Sequence, residues 1–428
     1  MRAEPALRPL ADTEVRCDWL VVGAGIVGLS IALRLRQQGL EVMVIERSGI
    51  AAEASRGNAG AYAFSDILPL ASPGIIRQAP RWLLDPLGPL SLRPSHLPRI
   101  APWLWRFWRA SRPGQVAAST QALAGLMTLS ARATPALLAS IDALHWLRGG
   151  GNLHLYESQA EWRASLPGWA VRSSHGIAVE HLHGPQAIAA LQPGLSPGLL
   201  AATFVPHWQT IRDPLQLTQH IAAKLEALGG RLRCATAVQL EPQPGAVNVR
   251  LDDGRALACA QVVIAAGAWS HQLARGLGER IPLQTERGYN TTLPQGAFDL
   301  CRQLTFPGHG FVITPIGDGV RVGGAVELAA LEAPPDFRRA DALLAKAQRF
   351  LPGLNALGGT QWMGKRPSLP DSLPVIGAAR NDARVIYAFG HGHLGLTLSA
   401  ATAELVLSIA QGRPPDVDLT PFAPRRFA

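Results

Sequence analysis

The stretch Val21-Val22-Gly23-Ala24-Gly25-Ile26-Val27-Gly28 decides the fold of this 428-residue chain. It follows an apolar run from Asp18 and opens a helix-like run that continues to Gln38. A second apolar run follows Gly39 and ends in Glu46, which is placed to accept hydrogen bonds from a ribose. This order of strand, glycine turn, helix, strand and acid is typical of a dinucleotide site. A glycine-rich turn in another kind of βαβ unit is the alternative.

Each glycine of the stretch has a physical role in such a site. Gly23 permits the tight turn, Gly25 lets backbone approach a pyrophosphate, and Gly28 lets the helix pack closely on the strand. The diphosphate then lies on free N–H groups at the positive end of the helix, which begins with Ile26 and Val27.

The composition is that of a large folded protein. Hydrophobic residues make up 47% of the chain and charged residues 17%, which excludes a disordered protein. The length predicts two interleaved domains or one large one. Cys17, Cys234, Cys259 and Cys301 form no C-x-x-C pair, and the first 15 residues lack the apolar core of a signal peptide. We therefore expect reduced thiols and a cytoplasmic protein.

The net charge of +9 raises the question of a nucleic-acid partner. No basic block interleaves with aromatic residues in an RNA-binding pattern, so no nucleic acid is expected. The segment from Arg93 to Arg112 differs from the rest, because arginines alternate there with tryptophans. Two interpretations stay open for it: a helix packed on the protein's own surface, and an interfacial helix that attaches the protein to the inner-membrane surface.

The order of the elements predicts an α/β protein, α+β overall, in which a Rossmann-like domain is interleaved with an antiparallel-sheet substrate domain. The dinucleotide domain is assigned to residues 17–75, 210–280 and 366–428, the substrate domain to 76–209 and 281–365, and a disordered leader to 1–16.

Local signals place individual elements in these domains. Asp213-Pro214 predicts the start of a helix that ends near Leu228, with Gly229 as its stop. Residues 231–266 are expected to form a β-meander whose last strand is buried on both faces. Residues 76–150 look helical, and one more strand–glycine–helix unit begins at Val385.

The chain resembles the FAD-dependent amine-oxidising superfamily that includes D-amino-acid oxidase, glycine oxidase, sarcosine oxidase and bacterial D-amino-acid dehydrogenase. The similarity covers nearly the whole length. The motifs that carry it, in order, are Val22 to Gly28 with Glu46, Gly57 to Gly60, Val262 to Gly267, Thr285 to Tyr289, Gly364 to Pro367, Asp371 to Gly377, and Gly390 to Gly395. The chain is most similar to the D-amino-acid dehydrogenase branch, particularly its hydroxyproline-associated members.

The resemblance implies FAD as the cofactor, with its adenosine diphosphate at the first glycine turn and its isoalloxazine ring near Gly390. The positive end of the helix after Gly390 can stabilise negative charge on the reduced ring. A glycine-rich C-terminal turn without a cofactor is the alternative. Beyond the first turn, the resemblance implies cofactor contacts from Arg47, Ser55, Asn58, Ala59, Gly60, Val238, Ala266, Gly267, Gly390, His391, Gly392, Leu394 and Gly395.

An amino-acid substrate needs a fixed cation for its carboxylate, and the fork of an arginine suits that geometry. The resemblance implies this role for Arg366, with a structural ion pair as the alternative. Tyr289 is a candidate hydroxyl for the same carboxylate, and core packing is its alternative role. Arg287 and Arg321 are alternative cations.

Three further residues are candidates at the substrate. His391 and His393 are expected near the flavin, where they tune its charge or contact substrate unless they are packed histidines with structural hydrogen bonds. Tyr62 is a candidate lid residue. Relatives that act on sarcosine carry a lysine near Leu394 and glycine oxidase carries an arginine near His393; both are absent, which disfavours those substrates. No metal site is expected.

The function implied is oxidative deamination of a D-amino acid or a cyclic secondary amino acid, such as cis-4-hydroxy-D-proline. Hydride passes from the α-carbon to flavin N5, and electrons pass on to a quinone or another carrier. No side-chain base is needed if the amine arrives deprotonated. An oxidase that uses oxygen, and a flavin subunit of a larger amine dehydrogenase complex, are the alternatives.

Overall fold

The structure is a computed structural model, and it describes residues 7–12, 14–72, 88, 90–93 and 96–428. The prediction of helix over 76–150 therefore lies partly outside the described residues. The helices in the described part are α1 (Ile26–Gln37), α2 (Leu97–Ala110), α3 (Pro113–Ala139), α4 (Gln159–Ser174), α5 (Pro185–Leu191), α6 (Pro214–Ala227), α7 (Ser270–Gly276), α8 (Arg338–Phe350) and α9 (Gly395–Ala410).

The strands are distributed over three sheets. In chain order they are β1 (Arg8–Pro9), β2 (Arg16–Val22), β3 (Val42–Glu46), β4 (Ala61–Tyr62), β5 (Leu90–Leu92), β6 (Leu147–Arg148), β7 (Asn152–Tyr156), β8 (Glu180–His183), β9 (Ala201–Val205), β10 (Gln209–Ile211), β11 (Arg231–Cys234), β12 (Ala237–Gln243), β13 (Ala246–Leu251), β14 (Ala256–Ile264), β15 (Gln284–Leu293), β16 (Gln303–Phe306), β17 (Phe311–Ile316), β18 (Gly319–Leu328), β19 (Thr360–Ser368), β20 (Val375–Ala378) and β21 (Val385–Phe389).

The first large sheet has the order β1-β11-β3-β2-β14-β13-β12, with β21 beside β14 and β20 beside β21. Its centre is parallel, since β3, β14 and their neighbours β11, β2 and β21 run in one direction. Parallel strands are buried on both faces, and Val263 and Ile264 are accordingly inaccessible. One apolar cluster packs the sheet against α1, α6 and α9, and a second covers its other face.

The second large sheet, called here the substrate sheet, has the order β19-β15-β18-β17-β16-β7-β9-β8, with β5 beside β18. Most of its pairings are antiparallel. Its strands come from chain segments that alternate with those of the first sheet, as the interleaved fold class predicts. A small sheet of β4, β10 and β6 lies between the two. The exact domain boundaries stay a prediction.

Two local predictions are confirmed in detail. Helix α6 begins at Pro214, and the Asp213 carboxylate caps it by accepting hydrogen bonds from the N–H groups of Leu215 and Gln216 at 2.8 and 3.1 Å. The backbone of Gly229 has a φ of +86°, which favours glycine at the helix stop. The unit at the C-terminus is also present, as β21 followed by Gly390 and α9.

Two other predictions are wrong. The leader is not disordered throughout, because Arg8 and Pro9 pair with β11 and Leu10 is buried in the core of the first sheet. The meander over 231–266 starts only at β12, since β11 runs parallel to β3. Burial of Leu10 and the unpaired edge of β11 explain the first difference, because both stabilise an ordered chain.

Helix α3 is the described helix that is long and apolar enough to cross a membrane by length and composition. However, 56% of its apolar window is buried inside the protein. It packs against α9, with Leu126 and Leu138 fully buried. These contacts are those of a core helix.

Candidate active site

A cavity of about 740 Å³ runs between the two large sheets. One end is formed by the start of α1 and the carboxyl ends of β2, β3 and β14, and the other by the inner face of the substrate sheet. The predicted residues on its wall are Gly23, Gly25, Ile26, Val27, Glu46, Arg47, Ser55, Asn58, Ala59, Val238, Ala266, Gly267, Tyr289, Arg366, Gly390, His391, Gly392, His393, Leu394 and Gly395. The chain thus brings together residues more than 300 positions apart.

The glycines of the first turn are required by close packing. Gly23 has a φ of +112°, and a Cβ atom there would lie 2.5 Å from the carbonyl oxygen of Ala265 on the neighbouring strand. A Cβ at Gly28 would overlap the carbonyl oxygen of Gly23. Gly25 is open toward the cavity, with only the hydroxyl of Ser55 close by, at 3.2 Å from a Cβ. This bare backbone at the start of a helix fits the diphosphate of a dinucleotide.

Glu46 and Ser55 complete this end of the cavity. The Glu46 carboxylate accepts hydrogen bonds from the N–H groups of Ala24 (3.0 Å) and Arg47 (2.9 Å), so its position on the wall is fixed. The Ser55 hydroxyl accepts from the N–H of Ile26 at 2.9 Å and caps the first turn of α1. An anchored acid beside an open glycine turn is the donor and acceptor set that a ribose diphosphate needs.

Four residues from three segments of the chain contact one another on the wall of the dinucleotide end. The guanidinium of Arg47 lies 3.7 Å above the Trp269 ring, and Nζ of Lys365 lies 4.8 Å from the same ring. The Glu53 carboxylate is 3.3 Å from Arg47 and 3.9 Å from Lys365. Burial raises the pKa of Glu53, and both cations oppose that shift. We call Arg47, Glu53, Trp269 and Lys365 the Trp269 clamp.

Two loops meet at the middle of the cavity. Asn58 accepts a hydrogen bond from the N–H of Gly60 at 2.7 Å and shapes the loop that exposes Ala59. Gly60 itself is not on the wall: its φ is +66°, and a Cβ there would lie 2.8 Å from Cδ1 of Ile316. The prediction that Gly60 admits close approach to the ring is therefore wrong, because this glycine makes room for protein.

The loop before α9 is built on Gly390 and Gly392, with φ values of +84° and +55°. Its residues and the first turn of α9 face the cavity, so the positive end of that helix points at the space where a ring is expected. His391 has a structural hydrogen bond, between Nε2 and the Thr402 hydroxyl at 2.9 Å, and burial lowers its pKa to about 3. His393 is exposed on the cavity side, where the Asp66 carboxylate favours its charged form.

Val238, Ala266 and Gly267 lie at the far end of the cavity, where an adenine is expected. Val238 is 53% exposed beside an irregularity of β12, between Ala237 and Gln239. An exposed aliphatic side chain with neighbouring free backbone groups fits one face of a purine.

Arg366 lies on β19 at the substrate end. Its guanidinium packs over Gly288 of β15, and Nη1 donates to the carbonyl oxygen of Ala325 at 3.4 Å. No carboxylate among the described residues lies within 4.0 Å of it. Burial lowers the pKa of Arg366. The group is thus a partly buried cation on the cavity wall without an ion pair, which fits capture of a carboxylate.

The structure does not support Arg287 as an alternative cation, nor Tyr289 as a second group that binds the substrate carboxylate. Arg287 is fully buried, with Nη1 3.1 Å from Glu327, and it is absent from the cavity wall. The Tyr289 hydroxyl donates to Glu327 at 2.6 Å and accepts from the N–H of Asp336 at 3.1 Å. Its single proton is therefore used inside the protein, and burial raises its pKa to about 12.

Tyr62 is not a lid residue either. It is 2% exposed, lies in β4 opposite Gln209, and stacks on Phe64 with ring centroids 5.8 Å apart. It does not line the cavity. The Thr397 hydroxyl bonds to both neighbours of Tyr62, accepting from the N–H of Ala63 and donating to the carbonyl of Ala61, both at 3.1 Å.

Sequence reasoning missed several residues of the wall. Glu286 faces the cavity from β15 and Trp362 from β19. Trp362 lies four positions before Arg366 on the same strand, so the alternation of side chains could have placed it on the same face; Glu286 had no such signal, since the predicted Tyr289 lies at an odd spacing from it. Arg321 was considered only as an alternative, and it donates to the carbonyl of Asn58. His154 of β7 also lines the cavity, next to Trp169, and had no sequence signal.

Comparison with known proteins agrees with this geometry. The model of the DAO family, FAD dependent oxidoreductase, matches residues 18–409. The chain is 33% identical over 420 residues to a D-amino-acid oxidase of Bradyrhizobium diazoefficiens, covering 95% of this chain and 98% of the relative. It is 30% identical over 415 residues to a D-amino acid dehydrogenase of Rhizobium johnstonii, covering 95% and 99%.

Solved structures share the fold. Glycine oxidase from Geobacillus kaustophilus superposes with a TM-score of 0.77 at 19% identity, covering 95% of this chain and 98% of that one. L-proline dehydrogenase from P.horikoshii gives 0.73 at 18% identity, covering 96% and 98%. The chain therefore belongs to the DAO family of FAD-dependent oxidoreductases. It is an enzyme that uses FAD, and amino-acid oxidation is its activity at the level of the family.

The residues of the cavity fit this cofactor. The two glycine turns leave bare backbone where a diphosphate and a ring would approach, and a fixed acid stands at the ribose position. Glu46 and the turn at Gly25 would hold the adenosine diphosphate. Asn58, Ala59 and the loop 390–395 would hold the isoalloxazine. FAD supplies the acceptor for a hydride at its ring.

Proposed function

We propose that the protein oxidises a D-amino acid, or a cyclic secondary amino acid such as cis-4-hydroxy-D-proline, to the imino acid. The observation that carries this proposal is the guanidinium of Arg366, which faces the cavity with no carboxylate of the described residues within 4.0 Å, although the charge of Glu286 acts on it from farther away. The names of the curated relatives support D-amino acids as the substrate class. The cyclic substrate rests on the sequence resemblance of residues 367–377.

The chain's contribution is to bind and orient. Arg366 takes the substrate carboxylate, which places the α-carbon between the substrate sheet and the loop 390–395. Gly288 and Ala325 hold the guanidinium in place. Trp362 packs against Gly57 and lines the cavity together with Asn58, and we expect its ring to limit the access of water to the substrate. Positioning of this kind lowers the barrier without a covalent step.

Anaerobic bleaching of the flavin absorbance tests the substrate class. Purified protein with bound FAD is mixed without oxygen with D-alanine, L-alanine, cis-4-hydroxy-D-proline, glycine and sarcosine. Rapid bleaching by D-alanine or the hydroxyproline is expected, with weak effects of the others. Bleaching that is absent with every amine, or faster with L- than with D-alanine, contradicts the proposal. The matched variant Arg366→Lys keeps the charge but loses the fork, and should bind substrate at least tenfold more weakly.

For the electron acceptor we propose a quinone or another carrier at the inner membrane, with oxygen as the second candidate. The relative of Rhizobium johnstonii, named a dehydrogenase, supports the first candidate, and the relative of Bradyrhizobium diazoefficiens, named an oxidase, supports the second. Re-oxidation of the bleached protein decides between them. Slow recovery in air and rapid recovery with a soluble quinone is the expected result. Rapid recovery in air with one hydrogen peroxide per turnover would make the protein an oxidase.

We propose that α2 places the protein on the membrane surface from its cytoplasmic side. Trp105 and Trp108 are 54% and 50% exposed on this helix, and Arg109 and Arg112 lie over their rings at 4.9 and 5.2 Å. Trp103 anchors the opposite face of the helix in the protein. Exposed tryptophans with adjacent arginines favour an interface with anionic lipid.

Co-sedimentation with vesicles of anionic phospholipid tests this attachment. Replacing both Trp105 and Trp108 by serine should abolish binding and slow reduction of a membrane quinone, while reduction by substrate stays unchanged. Leu357→Ser is the matched control, because Leu357 is 78% exposed on another part of the surface. Unchanged vesicle binding of the double variant would contradict the proposal. If the purified chain oxidises amines only after a partner is added, it is a subunit of a larger complex.

A further inference from the structure

Glu286 is an acidic residue on the cavity wall, and the reaction proposed above does not involve it. It lies on β15 directly opposite Arg366 of β19 in the register of the two strands. Residues opposite each other in an antiparallel pair point to the same face, and both side chains line the cavity. Glu286 is only 6% exposed. An acid buried at this depth costs free energy unless a partner compensates it.

The strand neighbours supply no ion pair to Glu286, although the charge of Arg366 and the Ser368 hydroxyl both favour its carboxylate form. Arg366 turns away from Glu286, over Gly288 and toward the carbonyl of Ala325. No nitrogen of Arg366 lies within 4.0 Å of a Glu286 oxygen, although the positive charge of Arg366 still favours the carboxylate form of Glu286. Glu327 on the neighbouring strand shows the contrast. That acid is held by Arg93 at 2.7 Å, Arg287 at 3.1 Å and the Tyr289 hydroxyl at 2.6 Å.

The groups around Glu286 leave one open direction. Arg366 and Ser368 face it from β19, and on the other side β18 places Leu328 opposite it. The loop before α9 packs at Ser368 through Gly392 and brings its histidines to the cavity. His391 is bonded to Thr402, and His393 lies under the influence of Asp66 and Arg366. Burial raises the pKa of Glu286, while Arg366 and Ser368 lower it.

A separated cation and anion on one wall match a zwitterion. An α-amino acid carries its carboxylate and its ammonium on the same carbon, so a carboxylate on Arg366 brings the nitrogen to a neighbouring position. We propose that Glu286 binds the amino group of the substrate and accepts one of its protons before the α-hydrogen leaves. This rests on the proposed function, because it takes the substrate to be an amino acid held by Arg366.

The step balances as a simple proton transfer. The N–H bond of the ammonium breaks, the proton joins a Glu286 oxygen, and the pair of electrons stays on nitrogen. The neutral amine can then stabilise the carbon that loses hydride, whereas an ammonium cannot. After release of the imino acid, Glu286 returns its proton to solvent. Burial favours the neutral form of this carboxyl group and the nearby cation favours its charged form, so the group can accept a proton and release it again.

Binding of two ligands that differ by the amino group tests the proposal without turnover. The probes are 2-aminoisobutyrate, which has an amine but no α-hydrogen, and isobutyrate, which has no amine; flavin absorbance reports their Kd on the protein with bound FAD. Glu286→Gln should weaken 2-aminoisobutyrate at least tenfold. Isobutyrate should bind equally well or more tightly, because a negative charge near Arg366 has been removed. Glu286→Asp should recover part of the selectivity for the amine.

The pH dependence of flavin reduction by D-alanine is the second readout. The wild type should reach its plateau well below the pKa of the free amine. Glu286→Gln should gain tenfold per pH unit up to that pKa, since only substrate that is already neutral can react. Glu180→Gln removes an acid from the edge of the same sheet, outside the cavity, and should match the wild type in both tests. FAD content and melting temperature exclude unfolding of the variants.

Two results would overturn the proposal. In the first, Glu286→Gln changes the Kd of both ligands equally, or of neither, while D-alanine still bleaches the wild type. Glu286 then has no role at the amine, and the proposed function stands. If the wild type binds neither ligand and no D-amino acid bleaches it, the anchor at Arg366 fails and the role of Glu286 fails with it.

Discussion

The guanidinium of Arg366 lies against Gly288, so that a Cβ atom at position 288 would be 2.8 Å from Nε and closer still to Cζ. The two residues are on neighbouring antiparallel strands, two positions out of register. The absence of a side chain at 288 therefore gives the arginine its place on the cavity wall. The same feature explains why Arg366 leaves Glu286, its direct partner in register, without an ion pair.

Gly288→Ala should displace the guanidinium and weaken carboxylate binding. Charged hydrogen bonds contribute about 1.5–3 kcal/mol, so the Kd of isobutyrate should rise about 10- to 100-fold. Titration of the flavin absorbance measures it. Gly276→Ala is the control, since nothing lies within 4 Å of a Cβ there. Unchanged ligand binding in Gly288→Ala would mean that Arg366 is not the carboxylate anchor.

Alanine substitutions at Gly28 and Gly25 should have different effects, the first on stability and the second on FAD binding. A Cβ at Gly28 overlaps backbone, so Gly28→Ala should cost the fold on the order of 3 kcal/mol, as overpacking does. A Cβ at Gly25 meets only the Ser55 hydroxyl and projects into the cavity. Gly25→Ala should leave the melting temperature of the FAD-free protein nearly unchanged and raise the Kd of FAD at least tenfold. FAD binding of Gly25→Ala equal to the wild type would place the diphosphate elsewhere.

Tyr289→Phe separates a structural hydroxyl from a substrate-binding one. Its loss leaves the N–H of Asp336 and one oxygen of Glu327 without their partner, which should lower the free energy of unfolding by about 1–3 kcal/mol. The Kd of isobutyrate should change less than twofold. Tyr156→Phe is a matched control, because its buried hydroxyl accepts a hydrogen bond from Trp169 away from the cavity. A large rise in the Kd of isobutyrate for Tyr289→Phe alone would mean that the Tyr289 hydroxyl binds the substrate carboxylate after all.

The fold was predictable because its decisive signals are local. The turn from Gly23 to Gly28, the cap at Asp213 and the strand before Gly390 are each contained in fewer than ten residues. Their conformations follow from backbone freedom, capping and strand burial, which depend little on distant parts of the chain. FAD binding by the DAO family follows from the same motifs.

The roles of Tyr62, Arg287 and Tyr289 depend instead on distant partners. The side chains of Arg287 and Tyr289 bond to Glu327 inside the protein, although Tyr289 also borders the cavity, while Glu286 and Gly288 line the cavity wall. Successive side chains of a strand point to opposite faces, but a single sequence does not show which face borders the cavity. Pairing of β15 with β19 decides it, and that contact joins segments about 80 residues apart.

The Trp269 clamp should control how fast FAD leaves. Each cation–π contact contributes about 0.5–1 kcal/mol at a partly exposed site, and the Trp269 ring makes two, so Trp269→Leu should raise the dissociation rate of FAD about 5- to 30-fold. Recovery of FAD fluorescence after dilution measures that rate. Raised salt should accelerate release from the wild type more than from Glu53→Gln, which lacks the central ion pairs. Trp108→Leu, outside the cavity, is the control; equal rates in both tryptophan variants would exclude the clamp from FAD retention.

His391 should make the protein sensitive to acid. Its folded-state pKa of about 3 lies below the ordinary value of 6.5, because burial disfavours the charged imidazole. A pKa lowered in the folded state means that the stabilising contribution is complete above pH 6.5 and is lost as the pH falls from 6.5 toward 3. At pH 5 the loss should be about 2 kcal/mol, from 1.4 kcal/mol per pH unit. His154, whose pKa is also lowered to about 3 by burial, should add a similar loss.

Urea unfolding of the FAD-free protein at pH 7.5 and pH 5 measures the combined loss of stability. His391→Gln should reduce the difference by about 2 kcal/mol, whereas His207→Gln, at an exposed position, should leave it unchanged. An acid sensitivity identical in His391→Gln and the wild type would show that His391 is charged at low cost in the folded protein.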